Sequence, residues 1–194
     1  MKIIVIGATG TIGAAVAAAL EPRHEVVRAS RRGSPAVDMT DPESINVLLA
    51  SVGPVDAVIC CAASARMAPI DTPDEAFLDG LHSKLLGQVA LLRLALPRLR
   101  DGGSVTLTAG TFDPPLAGAA FGALVNAGLE AFVRTAALEL PPGLRVNAVS
   151  PGWVRETLQA MGRDGGTPAA EVARAYVETV EGTITGQVLV PRPR

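Results

Sequence analysis

The stretch Lys2-Ile3-Ile4-Val5-Ile6-Gly7-Ala8-Thr9-Gly10-Thr11-Ile12-Gly13 decides the fold. Ile3 to Ile6 form a continuous apolar run, the pattern of a strand covered on both faces. Glycines at 7, 10 and 13 then turn the chain into Ala14–Leu20, an alanine-rich helical segment. Strand, glycine turn and helix in that order make a cradle for a dinucleotide pyrophosphate. Glycines permit the tight turn and close backbone approach, and the helix N-terminus presents unpaired N–H groups and a positive dipole end. On this reading Gly7, Thr9, Gly10, Thr11, Ile12 and Gly13 contact a cofactor. Small residues at the same places would also serve helix–strand packing. Hydropathy alone allows another reading, because Lys2 precedes an uncharged run to Leu20, as in a signal peptide or membrane span. Three glycines at turn spacing and two threonines fit a soluble core instead.

Working outward, 194 residues with 48% hydrophobic content suit one domain, residues 1–194, with ample core. A net charge of −2 gives no electrostatic case for nucleic acid or an anionic membrane. Cys60 and Cys61 are adjacent, and the histidines are His24 and His82, with no C-x-x-C or H-E-x-x-H spacing. No metal site is expected, and a reducing cytoplasm is the natural compartment.

A second strand, Glu25–Ala29, ends in Ser30-Arg31-Arg32. At this position an acidic residue would accept the two ribose hydroxyls of NAD, whereas arginine accommodates the 2′-phosphate of NADP. Ser30, Arg31 and Arg32 therefore favour NADP(H) over NAD(H); the alternative is a solvated pair of surface arginines. Val37-Asp38-Met39 reads as a third strand. Asp41-Pro42 caps a helix to about Ser51. A fourth strand spans Val55–Cys61. A long helix runs from the Thr72-Pro73-Asp74-Glu75 cap to about Leu99, closed by Gly102-Gly103. A fifth strand covers Ser104–Thr108, a second long helix Leu116–Leu140, and a sixth strand Arg145–Val149, stopped by Pro151-Gly152. Thr167-Pro168 opens a last helix to about Val180, and Gln187–Val190 forms a final strand. Such alternation predicts an α/β doubly wound parallel sheet with helices on both faces and ligands at the carboxyl edge of the strands.

These segments together resemble the short-chain dehydrogenase/reductase family over nearly the whole chain, which implies a Rossmann-like domain. Gly7-x-x-Gly10-x-x-Gly13 is similar to the family's cofactor turn, and Arg145-Val146-Asn147-Ala148-Val149-Ser150-Pro151-Gly152 to its R-V-N-x-[IV]-x-P-G segment. The resemblance implies that Asp38, beside Met39, meets the adenine amino group, and that Cys61, Ala62 and Ala63 lie at the adenine ribose. It places Pro151, Gly152 and Val154 against the nicotinamide. It also implies a homodimer or homotetramer through the helices at about 74–99 and 116–140, and a substrate lid at about 152–168. In that lid Trp153 and Met161 suggest an apolar wall, and Asp164-Gly165-Gly166 a hinge.

The family's chemistry departs here. Its catalytic tyrosine falls on Gly122, its lysine on Asn126, and its serine at Ala109 or the adjoining Thr108. Lys84-Leu85-Leu86-Gly87 stands where the family has Asn-x-x-Gly, so ammonium and amide are exchanged between positions 84 and 126. The expectation is that Lys84 and Asn126 face each other and that Lys84 reaches the nicotinamide ribose. Lys84, Ser64, Thr108 or Thr111 would then carry any proton. The single tyrosine, Tyr176, reads as a packed helix residue, unless the last helix folds over the cleft. The reading that follows is an NADP(H)-dependent oxidoreductase acting on a small carbonyl or alcohol of unknown identity. A non-catalytic NADP(H)-binding sensor or scaffold is the alternative.

Overall fold

The computed structural model describes residues 1–62, 67 and 69–193. Its frame is a parallel sheet of six strands in the order β2-β1-β3-β4-β5-β6. These are β1 (Lys2–Ile6), β2 (Glu25–Ala29), β3 (Val55–Cys60), β4 (Leu99–Thr108), β5 (Arg145–Val149) and β6 (Val188–Leu189). Because side chains alternate across a strand, a strand buried on both faces feeds two cores. Ile4 and Ile6 of β1 join one core with Leu48, Leu91 and Leu129. Ile3 and Val5 join the other with Val16, Val172 and Tyr176. The first core lies under α2 (Pro42–Val52), α4 (Gly87–Ala95) and α5 (Ala120–Glu139); the second lies under α1 (Thr11–Leu20) and α7 (Ala169–Glu181). The doubly wound α/β sheet expected from the alternation is the one observed. Among the described residues no helix is long and apolar enough to cross a membrane.

Several local expectations are corrected. Val37-Asp38-Met39 is not a strand; Ala36 makes an isolated bridge to Ser30. The Asp38 N–H is taken by Ser44 Oγ at 2.9 Å, and the Asp38 carboxylate turns back onto the Thr40 N–H at 2.9 Å, so no ladder continues. The helix expected from Asp74 to Leu99 is segmented into α3 (Asp74–Gly80), a π-helical turn over Leu81–Leu86, α4, and a 3₁₀ turn over Leu96–Arg98. Pro97 lacks an N–H and sits in that closing turn. Leu99 already pairs with Val55, and the register to β3 shifts before Ala57 meets Ser104, so Gly102-Gly103 lie in an irregular stretch of β4. The second long helix begins at Ala120, after a turn in which the Ala119 N–H donates to Leu116 O.

Asp41 caps α2 as expected, accepting from the Glu43 N–H at 2.9 Å. Neither Thr72 nor Thr167 is a cap: α3 and α7 follow Pro73 and Pro168 without a side-chain cap of their own. The Ala169 N–H that opens α7 instead donates to Glu156 Oε2 at 2.9 Å. Glu156 belongs to a short helix, α6 (Arg155–Ala160), which the sequence pattern did not announce.

Candidate functional site

Strand order reverses between β1 and β3, and a parallel sheet opens a crevice where it does. Gly7 leaves β1 with φ of +80°, and a Cβ there would stand 2.6 Å from the Ala62 N, so only glycine lets the two strand ends meet. At Gly13 a Cβ would lie 2.1 Å from Gly7 O, which locks α1 against the turn. Gly10 is different: the one neighbour of its would-be Cβ is Gly7 O at 3.4 Å, and it faces open space. No side chain caps α1 after Gly10, so the first-turn amides face the crevice. The three glycines thus divide into turn, approach and packing.

Two cavities of about 360 Å³ each run along the carboxyl edge of the sheet. One is lined by Gly7, Thr9, Ser30, Arg31, Asp38, Met39, Ala62 and, unforeseen, Thr40 and Ser83. The other is lined by Thr11, Ile12, Lys84, Thr108, Asn126, Pro151, Gly152 and Val154, with Gly122, Phe112 and Trp153. Gly10 and Cys61 line both, so one elongated cleft passes over the first turn of α1. Gly13 acts from behind as packing. Arg32 and Met161 are exposed and line neither cavity. Ala63 and Ser64 lie outside the described residues.

In the first cavity, two bonds from Thr40 and the nearby Arg31 hold the Asp38 carboxyl below its ordinary range, so it is an anion at neutral pH. The helical side of this cavity comes close to the loop because position 87 is glycine. A Cβ there would sit 2.2 Å from Met39 O.

The second cavity carries the unusual groups. The π turn places Ser83 in one cavity and Lys84 in the next, and π turns inside helices recur at functional sites. Lys84 is 6% exposed, and its Nζ donates to Ala109 O at 3.0 Å. Burial drops its pKa to about 8, partly opposed by the Cys60 thiol. Asn126 flanks the same end of β4: a Cβ on Gly110 would meet its Nδ2 at 3.1 Å. Asn126 is 4% exposed, and its Oδ1 has no partner among the described residues. Lys84 and Asn126 therefore share a cavity, each against the Ala109-Gly110 segment.

Other candidates are committed elsewhere. The Thr108 hydroxyl donates to Cys60 O and accepts from the Tyr176 hydroxyl, both at 2.5 Å. Tyr176 is fully buried beneath the sheet and does not line the cleft, and burial drives its pKa well up. Burial likewise pushes the Cys60 thiol up to about 12 and raises that of Cys61. Thr111, by contrast, lines the second cavity, and its backbone N–H donates to Pro151 O at 3.0 Å.

The Arg145–Gly152 segment is built on its own bonds. Arg145 donates to the Thr179 and Val180 carbonyls at the end of α7, at 2.7 and 3.2 Å. Asn147 holds Ile184 O and the Gln187 N–H, and Ser150 Oγ donates to Glu130 at 2.7 Å. The segment 152–168 closes on itself: the Arg155 N–H donates to Thr167 O and the Thr167 N–H to Trp153 O, with Gly166 wedged between. Where a hinge is expected, Gly166 is a packed turn.

Glycine cradle, switch-point crevice and a two-chambered cleft define a dinucleotide-binding protein of the parallel α/β class. The family model described as Enoyl-(Acyl carrier protein) reductase matches residues 7–185, and the chain belongs to the short-chain dehydrogenase/reductase family. The solved protein lin1944 from Listeria innocua superposes with a TM-score of 0.94 at 37% identity, over 99% of this chain and all of that one. A small-chain dehydrogenase solved in complex with NADPH gives 0.87 at 28% identity, over 98% and 95%. Glucose and ribitol dehydrogenase homolog 2 of Arabidopsis thaliana is 30% identical over 73% of this chain. The chain spans 56% of that relative's length. The family uses nicotinamide cofactors, and the cradle fits one: the space before Gly10 is open, while Gly7 and Gly13 admit no side chain.

Proposed function

We propose that the protein is an NADP(H)-dependent oxidoreductase that interconverts a small carbonyl and an alcohol. The observation that carries this reading is the cleft continuous through Gly10 and Cys61, which suits one ligand with two nucleoside ends. The adenosine end would lie between Arg31 and Asp38, and the nicotinamide end against Pro151, Gly152 and Val154. When bound, the nicotinamide supplies or accepts the hydride. The chain's part is to orient that ring, exclude water with Trp153 and the lid, and manage the proton. Preference for NADP(H) rests on Arg31, which lines the cavity at the end of β2 where an acidic residue would favour NAD(H). A structural neighbour solved with NADPH supports the same choice.

A second reading, a non-catalytic NADP(H) sensor, is favoured by Gly122, which offers no acid where the family has tyrosine. Fluorescence titration with NADPH and NADH, followed by NADPH oxidation against small carbonyls, separates the two. Turnover supports the enzyme; tight binding without turnover supports the sensor. Arg31→Ala is expected to weaken NADPH binding about tenfold and spare NADH, with Arg32→Ala near neutral, as charge-assisted phosphate contacts are strong. Equal losses for both nucleotides would remove the case for NADP(H).

A further inference from the structure

Lysine is scarce in this chain. Of its 17 basic residues, Lys2 and Lys84 are the lysines and the rest are arginines. Lys2 opens β1, where its Nζ donates to Val52 O at 2.8 Å, away from the cleft. Lys84 forms the wall of the second cavity. The distinction is chemical, because a guanidinium keeps its proton at every accessible pH whereas a desolvated ammonium releases one.

The surroundings of Lys84 leave it that freedom. Among the described residues its hydrogen-bond partner is a neutral carbonyl, Ala109 O, which takes one of three N–H bonds. The described residues lining its cavity include no carboxylate. Among the described residues the titratable groups facing it are the thiols of Cys60 and Cys61 at the end of β3, both neutral at pH 7 because burial raises them. Thr108 from β4 and Asn126 from α5 carry no charge. Across the cavity, a Cβ on Gly122 would already meet the Phe112 ring at 3.2 Å, so that ring lies against the place from which the family's tyrosine projects. The orphaned Asn126 Oδ1 marks the same chamber as one that expects a polar ligand group.

We propose that Lys84 is the proton donor and acceptor of this site, replacing the family's tyrosine from the opposite wall. The inference rests on the nicotinamide reading given above. In the reducing direction a carbonyl carbon gains a hydride from reduced nicotinamide, and its oxygen takes a proton from Lys84. The Nζ–H bond breaks, an O–H bond forms, and the neutral amine recovers a proton from water. Oxidation runs the same proton back to the neutral amine.

The test compares wild type, Lys84→Met and Lys84→Arg, with diacetyl as the carbonyl probe. With two lysines in the chain, side-chain NMR of ¹⁵N-lysine protein follows the Lys84 amine without any cofactor, and a midpoint near 8 is expected. NADPH affinity is expected to stay within about threefold in both variants, while diacetyl-dependent oxidation of NADPH falls by about a hundredfold or more. Reduction by wild type should decline as pH passes about 8. Full activity in Lys84→Arg would overturn the proposal, since charge alone would then suffice. Parallel loss of affinity and rate would overturn it in favour of a nucleotide anchor, and a midpoint above 10 would leave no acid to invoke. NADPH binding without oxidation by diacetyl overturns the proton role and leaves the nucleotide reading standing. Binding of neither NADPH nor NADH overturns both.

Discussion

The two chambers of the cleft are made by different means. The one at Arg31 and Asp38 is built from backbone: glycines at 7 and 87 let chain segments touch where any Cβ would collide. The one at Lys84 and Asn126 is built from side chains, a buried ammonium and a buried amide against the Ala109-Gly110 segment. Backbone constraints are hard, because a steric overlap has no substitute. Side-chain chemistry is portable, because an acid needs reach and a suitable pKa and can come from any wall. The first chamber should therefore fail structurally when altered, and the second functionally.

The harshest break of that contrast is Gly13→Ala. Its Cβ would stand 2.1 Å from Gly7 O, a backbone atom that can move only by displacing the turn. A loss of about 3 kcal/mol or more is expected in chemical denaturation, with nucleotide binding lost as well. Gly10→Ala is the control, since its Cβ would meet nothing closer than 3.4 Å. That variant should melt like wild type yet bind NADPH at least tenfold more weakly. If both variants melt alike, the division between packing and approach glycines is wrong.

Lys84→Met tests the second chamber from the opposite direction, by gaining stability. Burial lowers the folded-state pKa to about 8 from an ordinary 10.5. Below pH 8 the amine is charged in both states and the folded protein bears the desolvation penalty. Between about 8 and 10.5 the unfolded chain binds more protons, so stability contributed by this group rises with pH, and the penalty is gone above that window. Methionine should stabilise the protein at pH 7 by about 1–3 kcal/mol, offset in part by the lost bond to Ala109 O. Paired thermal melts at pH 7 and pH 10 would show the advantage shrinking. Destabilisation at pH 7 would mean that the ammonium is compensated.

Tyr176→Phe should have a smaller effect. It removes the hydroxyl that donates to Thr108 Oγ1, while Thr108 keeps its bond to Cys60 O. About 1 kcal/mol should be lost in denaturation. NADPH oxidation should change less than twofold, because Tyr176 does not reach the cleft. A large kinetic loss with unchanged stability would bring the buried hydrogen-bond chain into the mechanism.

The same contrast explains what could be read in advance. Gly7-x-x-Gly10-x-x-Gly13 was legible because its spacing encodes backbone geometry, and the largely apolar runs of β1 and β3 because strands buried on both faces leave no other pattern. Val37–Met39 read as a short strand, but the Asp38 N–H is claimed by Ser44 and the Thr40 N–H by Asp38, side chains whose direction no period reveals. The π turn at Leu81–Leu86 was hidden inside a continuous helical pattern, so Ser83 went unrecognised beside Lys84. Phe112 could not be placed at all, since only the fold brings its ring to Gly122. Arg31 and Arg32 are indistinguishable as neighbours in sequence and both are exposed; the turn back to Ala36 sets Arg31 against the cavity and Arg32 outside it.

The smallest effect is expected at Gly122. Gly122 is the third residue of α5, and alanine there would gain up to about 1 kcal/mol of helix propensity over glycine. Against this, its Cβ would press the Phe112 ring at 3.2 and 3.3 Å, tighter than ordinary contact. Phe112 is half-buried and contacts the site with a ring edge, so it can give by a few tenths of an ångström. The two terms nearly cancel, and Gly122→Ala should lie within about 0.5 kcal/mol of wild type, with unchanged NADPH affinity. Gly122→Tyr is another matter, since a full ring must displace Phe112 before it can enter the chamber. If Lys84 already carries the proton, that tyrosine should add no activity even where it folds. A rate increase in Gly122→Tyr that survives Lys84→Met would show that the chamber still accommodates the family's own acid.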